Sequence, residues 1–338
     1  MKFIQMNVEA KATILSPVAT GNGAYVVHCR LEQKMRDYKV LPYHPYRTFF
    51  PASLFFLGRN KKPSMIHTTP DYAYFHAKYG LPLVLTFHNY VLDKFMRNYS
   101  SCLQNIHYQT DLKWLTKKAV NVASELTAVS QFTANLVQEE LGLDTKPSVI
   151  YNGIDEALFV PMNKSANKKN IKVLFSGNLS IRKGAQWLLP ILNRLNPNIS
   201  ICYTTGLRNL KTLPTHPRLI NLGQVEYKKM PALYQSADIL LFPTVREGFG
   251  LAAAEAMACG LPVVATNCSA LPELIDEGMG GFLCGLAAVE EFAEKINLLA
   301  ENENLRKEMG EYNREKVERL FTLNKMIGEY QSLFEKFL

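Results

Sequence analysis

Thr244-Val-Arg-Glu-Gly-Phe-Gly-Leu-Ala-Ala-Ala-Glu-Ala-Met-Ala-Cys-Gly-Leu-Pro-Val-Val-Ala-Thr266 is the stretch from which the rest of the chain can be read. Glu247 and Glu255 stand eight positions apart, with a turn flanked by Gly248 and Gly250 and the start of a helix between them. Gly260 and Pro262 stop that helix, as a glycine just past the last turn and a following proline do. Val263-Val264-Ala265 reads as the next buried strand. The N–H groups of Phe249, Gly250 and Leu251 open the helix without intrahelical partners, and such a terminus attracts anionic oxygens. The glycines let a ligand approach the backbone closely. A carboxylate just before the turn can accept hydrogen bonds from sugar hydroxyls, and one a turn into the helix can accept two from the vicinal hydroxyls of a ribose. Acid, amides, acid, in that order, suits a nucleotide diphosphate-sugar. A glutamate pair alone would mean no more than an ordinary strand-loop-helix crossover with a surface Glu and a capping Glu.

Here Glu247-Gly-Phe-Gly-Leu251 is intact and Glu255-Ala-Met-Ala-x-Gly260-x-Pro262-Val-Val follows it. The segment closely resembles the donor-site signature of retaining GT-B-type glycosyltransferases of the glycogen-synthase-like and mannosyltransferase-like family (glycosyl transferases group 1). The resemblance implies an α/β protein of two Rossmann-like doubly wound domains facing across a cleft.

Short apolar runs alternate with helical patterns through the whole chain, the sequence form of βαβ units on a parallel sheet. In the second half the runs are 171–175, 199–203, 219–222, 238–242 and 262–265, with helices over 184–195 and 230–237. In the first half they are 13–16, 40–42, 65–67, 83–86, 126–129 and 149–151, with helices over 23–34, 110–122 and 131–140, the last N-capped by Ser130. The hydrophilic stretch Pro161–Asn170 reads as a linker. It divides residues 1–160, an acceptor-side domain, from 161–338, a donor domain. By resemblance, the last helix, about 321–338, crosses back onto the first domain.

A hydrophobic content of 47% and a charged content of 20% over 338 residues are those of a folded globular protein of two moderate domains. No apolar run reaches a membrane span, and the longest, such as Ala52–Leu57, have core-strand or short-helix length. Met1-Lys-Phe-Ile-Gln lacks the features of a signal peptide, so the expected location is the cytoplasm. The six cysteines form no Cys-x-x-Cys pair, which argues against a zinc site and a disulfide framework. A net charge of +8 suits nucleic acid, an anionic membrane or phosphorylated ligands. Nothing resembles a nucleic-acid-binding motif, so nucleic acid is the least favoured.

Ser176-Gly-Asn-Leu-Ser-Ile-Arg-Lys-Gly184 follows a strand and leads into a helix. Arg182 offers a fork and Lys183 a point charge, both suited to a diphosphate leaving group. The segment resembles the family's Gly-Arg-Leu-x-x-x-Lys-Gly element, with Asn178 where an Arg is common and Arg182 able to supply that charge. Pro82-Leu-Val-Leu-Thr-Phe-His88 puts a histidine right after a buried strand and resembles the family's Thr-x-His element. The resemblance gives His88 a hydrogen bond to a hydroxyl of the transferred sugar. His67 also ends a strand and is a weaker acceptor-site candidate.

Gly21 and Gly23 open the first helix; the third glycine of a dinucleotide fingerprint would fall at Val26, which argues against NAD. The family uses such a loop near the diphosphate or acceptor. Gly206 ends a strand, and Leu222-Gly-Gln-Val225 resembles the segment whose backbone reads the nucleobase. Ser269 and Glu273 match a family pattern, with Glu273 expected to stabilise the first turn of its own helix.

The sites expected are therefore His88, Arg182, Lys183 and Glu247 for catalysis, and Gly21, Gly23, Gly206, Val225, Phe249, Gly250, Leu251 and Glu255 for the donor. No metal is expected and no cofactor beyond the nucleotide-sugar co-substrate. The partner expected is a glycan or lipid-linked acceptor. Lys94–Arg97 and Lys113–Lys118 mix basic and apolar residues and would suit contact with anionic lipid; a solvated helix face over a buried Trp114 is the plainer expectation. Two other readings share the sequence features. A nucleotide-sugar epimerase would release a free-sugar epimer without an acceptor, and a silent nucleotide-sugar-binding module would show no turnover.

Overall fold

The computed structural model describes residues 13–58, 60–77, 80–162, 170–206 and 213–338. Most of the expected linker, 163–169, lies outside them. The chain divides into two compact units. Unit 1 takes in residues up to Ala128, then Val137–Ile150 and Ile327–Leu338; unit 2 takes in Val129–Leu136 and Tyr151–Met326.

Unit 1 is built on β1 (Ile14–Ala19), β2 (Tyr38–Tyr43), β3 (Met65–Thr68), β4 (Leu83–Phe87), β5 (Glu125–Ala128) and β6 (Ser148–Val149). They form one sheet in the order β2-β1-β3-β4-β5-β6. Every pairing is parallel, with Ile14 opposite both Tyr38 and Met65. The chain runs outward from β1 to β2, then returns past β1 to β3. That reversal opens a crevice at the C-terminal ends of β1 and β3, where open α/β sheets take ligands. The turn after β1 contains Gly21 (φ +80°), and Asn22 caps the helix Gly23–Lys34 by accepting from Tyr25 N–H at 2.8 Å.

Unit 2 is built on β7 (Ile171–Phe175), β8 (Ile199–Tyr203), β9 (Leu219–Asn221), β10 (Ile239–Phe242), β11 (Val263–Thr266) and β12 (Gly281–Cys284). Their order, β9-β8-β7-β10-β11-β12, is the dinucleotide-fold order with its switch point between β7 and β10. The strands β10 and β11 are buried on both faces, which is why they read as continuous apolar runs. Leu240 and Phe242 face one core with the helix Leu251–Ala258, while Ile239 and Leu241 face the other with the helices Leu188–Leu192 and Val289–Glu301.

Several expectations need correction. The helix expected over 184–195 is regular only over Leu188–Leu192, after two 3-10 turns separated by Gly184 in the left-handed region. Ala52–Leu57 takes the short-helix rather than the strand form: Pro45–Phe49 and Pro51–Phe56 are 3-10 turns, each started by its proline, with Leu54 buried and Phe55 and Phe56 exposed. Trp114 is exposed, because Leu115, Thr116 and Ala119 take the inward face of the helix Lys113–Asn121.

Candidate active site

The loops that follow β7 and β10 meet at the switch point of unit 2. They are tied by backbone: Val245 N–H donates to the Arg182 carbonyl at 2.8 Å, and Thr244 Oγ1 lies 3.1 Å from the same oxygen. Gly184 makes the approach possible. It has φ +79°, and a Cβ there would overlap the Pro243 carbonyl. This contact brings Lys183 Nζ to 2.5 Å from Glu247 Oε1, with Nζ also 5.5 Å from the centre of the Phe242 ring. Thr244 Oγ1 donates to Glu247 Oε1 at 2.9 Å, and Glu247 N–H donates to Ser269 Oγ at 2.9 Å. Both members of the ion pair are mostly shielded from solvent, whereas the Arg182 side chain is exposed.

The turn then enters the helix Leu251–Ala258. Gly250 has φ +103° at its N-cap, the left-handed geometry that favours glycine. Phe249 and Gly250 are buried and Leu251 is half-buried. Glu255 lies one turn inside the helix, 7% exposed, with its Oε2 accepting from Tyr234 Oη at 3.3 Å. Ser176 Oγ, in the loop after β7, is also 3.3 Å from Tyr234 Oη. Burial and the neighbouring Glu255 carboxylate push the Tyr234 phenol well above its usual range, so it stays a hydrogen-bond donor.

Gly206 follows β8 and packs so closely on Asn178 that a Cβ would overlap the amide oxygen. Asn178 thus occupies the floor of this loop. Val225 is half-buried in the loop after β9, where Thr205 N–H donates to the Gly223 carbonyl at 2.8 Å. Glu273 does more than expected. It lies in the first turn of its own helix, Leu271–Leu274, but its hydrogen bonds go elsewhere: it accepts from Gln131 N–H at 2.8 Å and Phe132 N–H at 2.6 Å, capping the helix Gln131–Leu141, and from Tyr151 Oη at 3.0 Å. Ser130 Oγ accepts from Thr133 N–H at 3.1 Å at the same terminus.

In unit 1, His88 follows β4 and belongs to a buried chain of polar groups that the sequence does not announce. His28 Nε2 is 3.2 Å from His88 Nε2, and His28 Nδ1 lies 2.6 Å from Tyr38 Oη and 2.7 Å from Ser16 Oγ. Tyr38 Oη reaches His67 Nδ1 at 2.7 Å, and His67 Nε2 reaches Thr86 Oγ1 at 2.7 Å. His67 has no exposed surface; it is a core group, so it is not placed to touch an acceptor. Desolvation holds His88 down to about 3, and holds His28 and His67 well below the usual imidazole range with the neighbouring rings adding to it. All three are neutral at neutral pH. Gly21 and Gly23 lie exposed on the turn at the end of β1.

Among the described residues no three His, Cys, Asp or Glu side chains gather in a metal-holding group. Nor is any helix among them long and apolar enough to cross a membrane.

Two parallel doubly wound sheets, one with a charged pair and a glycine-capped helix at its switch point, define a GT-B α/β protein. Residues 161–316 match the family described as glycosyl transferases group 1, and residues 13–158 match glycosyltransferase family 4. The chain belongs to the group 1 glycosyltransferase family. It is similar to N-acetyl-alpha-D-glucosaminyl L-malate synthase of Bacillus anthracis, 25% identical over 65% of this chain and 61% of that protein. It is also similar to the capsular polysaccharide biosynthesis glycosyltransferase CapM of Staphylococcus aureus, 25% identical over 66% of this chain and 64% of that one. The matches thus span less than two thirds of these relatives' lengths. In fold it is similar to Anabaena Alr3699/HepE, solved with UDP and glucose (TM-score 0.78, 20% identity, 96% of this chain and 99% of that one). Sucrose-phosphate synthase of Thermosynechococcus elongatus is similar too, with TM-score 0.77, 17% identity, and 96% and 98% coverage.

Proposed function

We propose that the protein transfers a hexose from a nucleoside diphosphate-sugar to a glycan or lipid-linked acceptor, with retention of configuration and without a metal ion. The observation that carries this reading is the Lys183–Glu247 pair at the switch point, followed directly by the glycine-capped helix that buries Glu255. The bond from the anomeric carbon to the diphosphate oxygen breaks, and negative charge grows on the diphosphate. Lys183, Arg182 and the amides of Phe249–Leu251 would receive that charge. Glu247 would hold sugar hydroxyls and Glu255 the ribose diol. The acceptor hydroxyl attacks from the face the diphosphate leaves and gives its proton to the departing phosphate oxygen, so no protein nucleophile is needed. His88 keeps in this reading the contact to the transferred sugar that the family resemblance implies, and Gly206 and Val225 the loops around the base. The UDP and UDP-glucose complexes of the Anabaena protein support a nucleotide-sugar donor, and the capsular role in the name of CapM supports a glycan acceptor. Such a donor would place the reaction in the cytoplasm.

The test is a thermal-shift panel of nucleoside diphosphates and their sugar conjugates, followed by transfer assays with the preferred donor. The expected result is stabilisation by one donor family, an acceptor-dependent product with the donor's anomeric configuration by NMR, and a rate unchanged by EDTA. Free epimer formed without acceptor would replace transfer by epimerisation, and binding with no turnover across an acceptor panel would leave only a binding module.

A further inference from the structure

Unit 1 carries a set of exposed aromatic and aliphatic side chains that neither fold nor donor chemistry requires. Phe50 is 78% exposed, Leu103 80% and Trp114 55%, at levels usual for charged residues, and Phe49, Phe56 and Ile106 are similarly open. Part of the set is joined ring to ring. The turns Pro45–Phe49 and Pro51–Phe56 are consecutive, and Phe55 meets Phe75 edge-on at 5.0 Å. Tyr74 then joins Phe75 at 5.9 Å and Trp114 at 6.3 Å. Leu103 and Ile106, three positions apart, sit on the helix Cys102–His107, which Tyr72 Oη holds by a 3.1 Å hydrogen bond to His107 Nε2. Exposed apolar side chains in this number on a folded protein mark an interaction surface.

Its rim is cationic. Lys118 Nζ lies 5.6 Å over the Trp114 ring; Lys117 and Arg47 are exposed on the same elements, and Lys113 is half-buried beside Trp114. The acid within the helical segment, Asp111, is 2.8 Å from His107 Nδ1. Lysine is depleted in protein–protein interfaces but is the residue that draws a surface to anionic lipid. Exposed rings on short turns, flanked by lysines, fit insertion into the headgroup region without crossing the bilayer.

We infer that this face docks on an anionic lipid bilayer, through ring insertion from 46–56 and Trp114 and through lysine attraction from Lys113, Lys117 and Lys118. The inference is independent of the transfer reading and is tested without nucleotide sugar. The chain has two tryptophans, so Trp187→Phe leaves Trp114 as the only indole reporter. That protein is mixed with vesicles of equal parts phosphatidylcholine and phosphatidylglycerol, and with phosphatidylcholine alone. Expected are a blue shift of Trp114 emission and co-sedimentation with the anionic vesicles only. Lys117→Glu with Lys118→Glu should lower partitioning by about fivefold or more per lysine at low salt. Phe49→Ser with Phe50→Ser should abolish it, with circular dichroism and melting showing both variants folded. Absence of co-sedimentation, binding that these variants leave unchanged, or a blue shift that appears without lipid on self-association would overturn it; the last would point to a second copy as the occupant.

Discussion

Lys183 Nζ lies 2.5 Å from Glu247 Oε1, and that same oxygen accepts from Thr244. The cation proposed for the diphosphate is thus held by the carboxylate proposed for the sugar. A bound donor must compete for Lys183, and the carboxylate fixes where the ammonium waits. Lys183→Ala is expected to strand a shielded carboxylate, and Glu247→Gln to strand the ammonium; the double variant should lose less than the two losses summed. A coupling of about 1–2 kcal/mol is expected from a urea-unfolding double-mutant cycle. Turnover by Lys183→Ala should fall on the order of a hundredfold or more, with donor affinity changing far less. Additive losses in the cycle would remove the pair from the account.

Glu255 should report on nucleotide binding apart from chemistry. Its carboxylate is buried at the helix and bonded to the Tyr234 hydroxyl. Glu255→Ala should raise the dissociation constant of the preferred nucleoside diphosphate about tenfold to a hundredfold, the cost of losing hydrogen bonds to a charged group. The corresponding 2′-deoxynucleotide should lose much less on the same substitution, because it lacks one of the two hydroxyls. Calorimetric titration of both nucleotides against both proteins checks this, and equal losses for the two would count against a ribose contact.

The histidine chain of unit 1 makes a prediction with a definite sign. Folded, His88 has a pKa of about 3 and His28 and His67 lie well below the usual range; unfolded, all three return to about 6.5. The folded pKa values are depressed, so below about pH 6.5 the unfolded chain takes up protons that the folded one refuses. Stability from this source is complete above pH 6.5 and drains as pH falls towards about 3, with a slope of up to about 1.4 kcal/mol per pH unit for each histidine. Urea unfolding at pH 7.5 and 5.0 should show the loss. His28→Asn should reduce the difference between the two pH values even if it lowers stability at both. An unchanged difference would mean that these rings are hydrated.

What could be read along the chain was what is local. Glycine and proline punctuation and apolar runs marked β7, β8, β10 and β11 to within a residue or so, and β10 and β11, buried on both faces, leave no polar alternation to misread. The helix Leu251–Ala258 was legible from Gly250, Gly260 and Pro262 at its ends. Partners distant in sequence were not: Lys183 and Glu247 are 64 positions apart, and only the strand order brings their loops together. His28 was missed because a lone histidine inside a helix carries no local mark; its importance comes from Ser16, Tyr38 and His88 on three other segments. Trp114 misled because bulk suggests burial, yet smaller neighbours fill the inward face of its helix. Ala52–Leu57 could be read only by its length, since hydrophobicity alone does not tell a strand from a 3-10 turn.

Glu273 shows how one carboxylate can serve a terminus far away in sequence. Its two oxygens take the N–H groups of Gln131 and Phe132, and Oε2 also accepts from Tyr151. The first N–H groups of a helix have no partners within it, and an anion there is favoured by the aligned peptide dipoles as well as by the hydrogen bonds. Glu273→Gln keeps the size and one acceptor but loses the charge, so it should cost about 1 kcal/mol; Glu273→Ala, which strands both amides and the Tyr151 hydroxyl, should cost about 2–3 kcal/mol. Tyr151→Phe removes a single neutral donor and should cost about 1 kcal/mol or less. Amide hydrogen exchange separates a local cap from a global effect. Protection should fall first at the start of the helix Gln131–Leu141 in Glu273→Ala, while the amides of Leu271–Leu274 keep theirs. If protection were lost first within Leu271–Leu274, Glu273 would be acting mainly on its own helix.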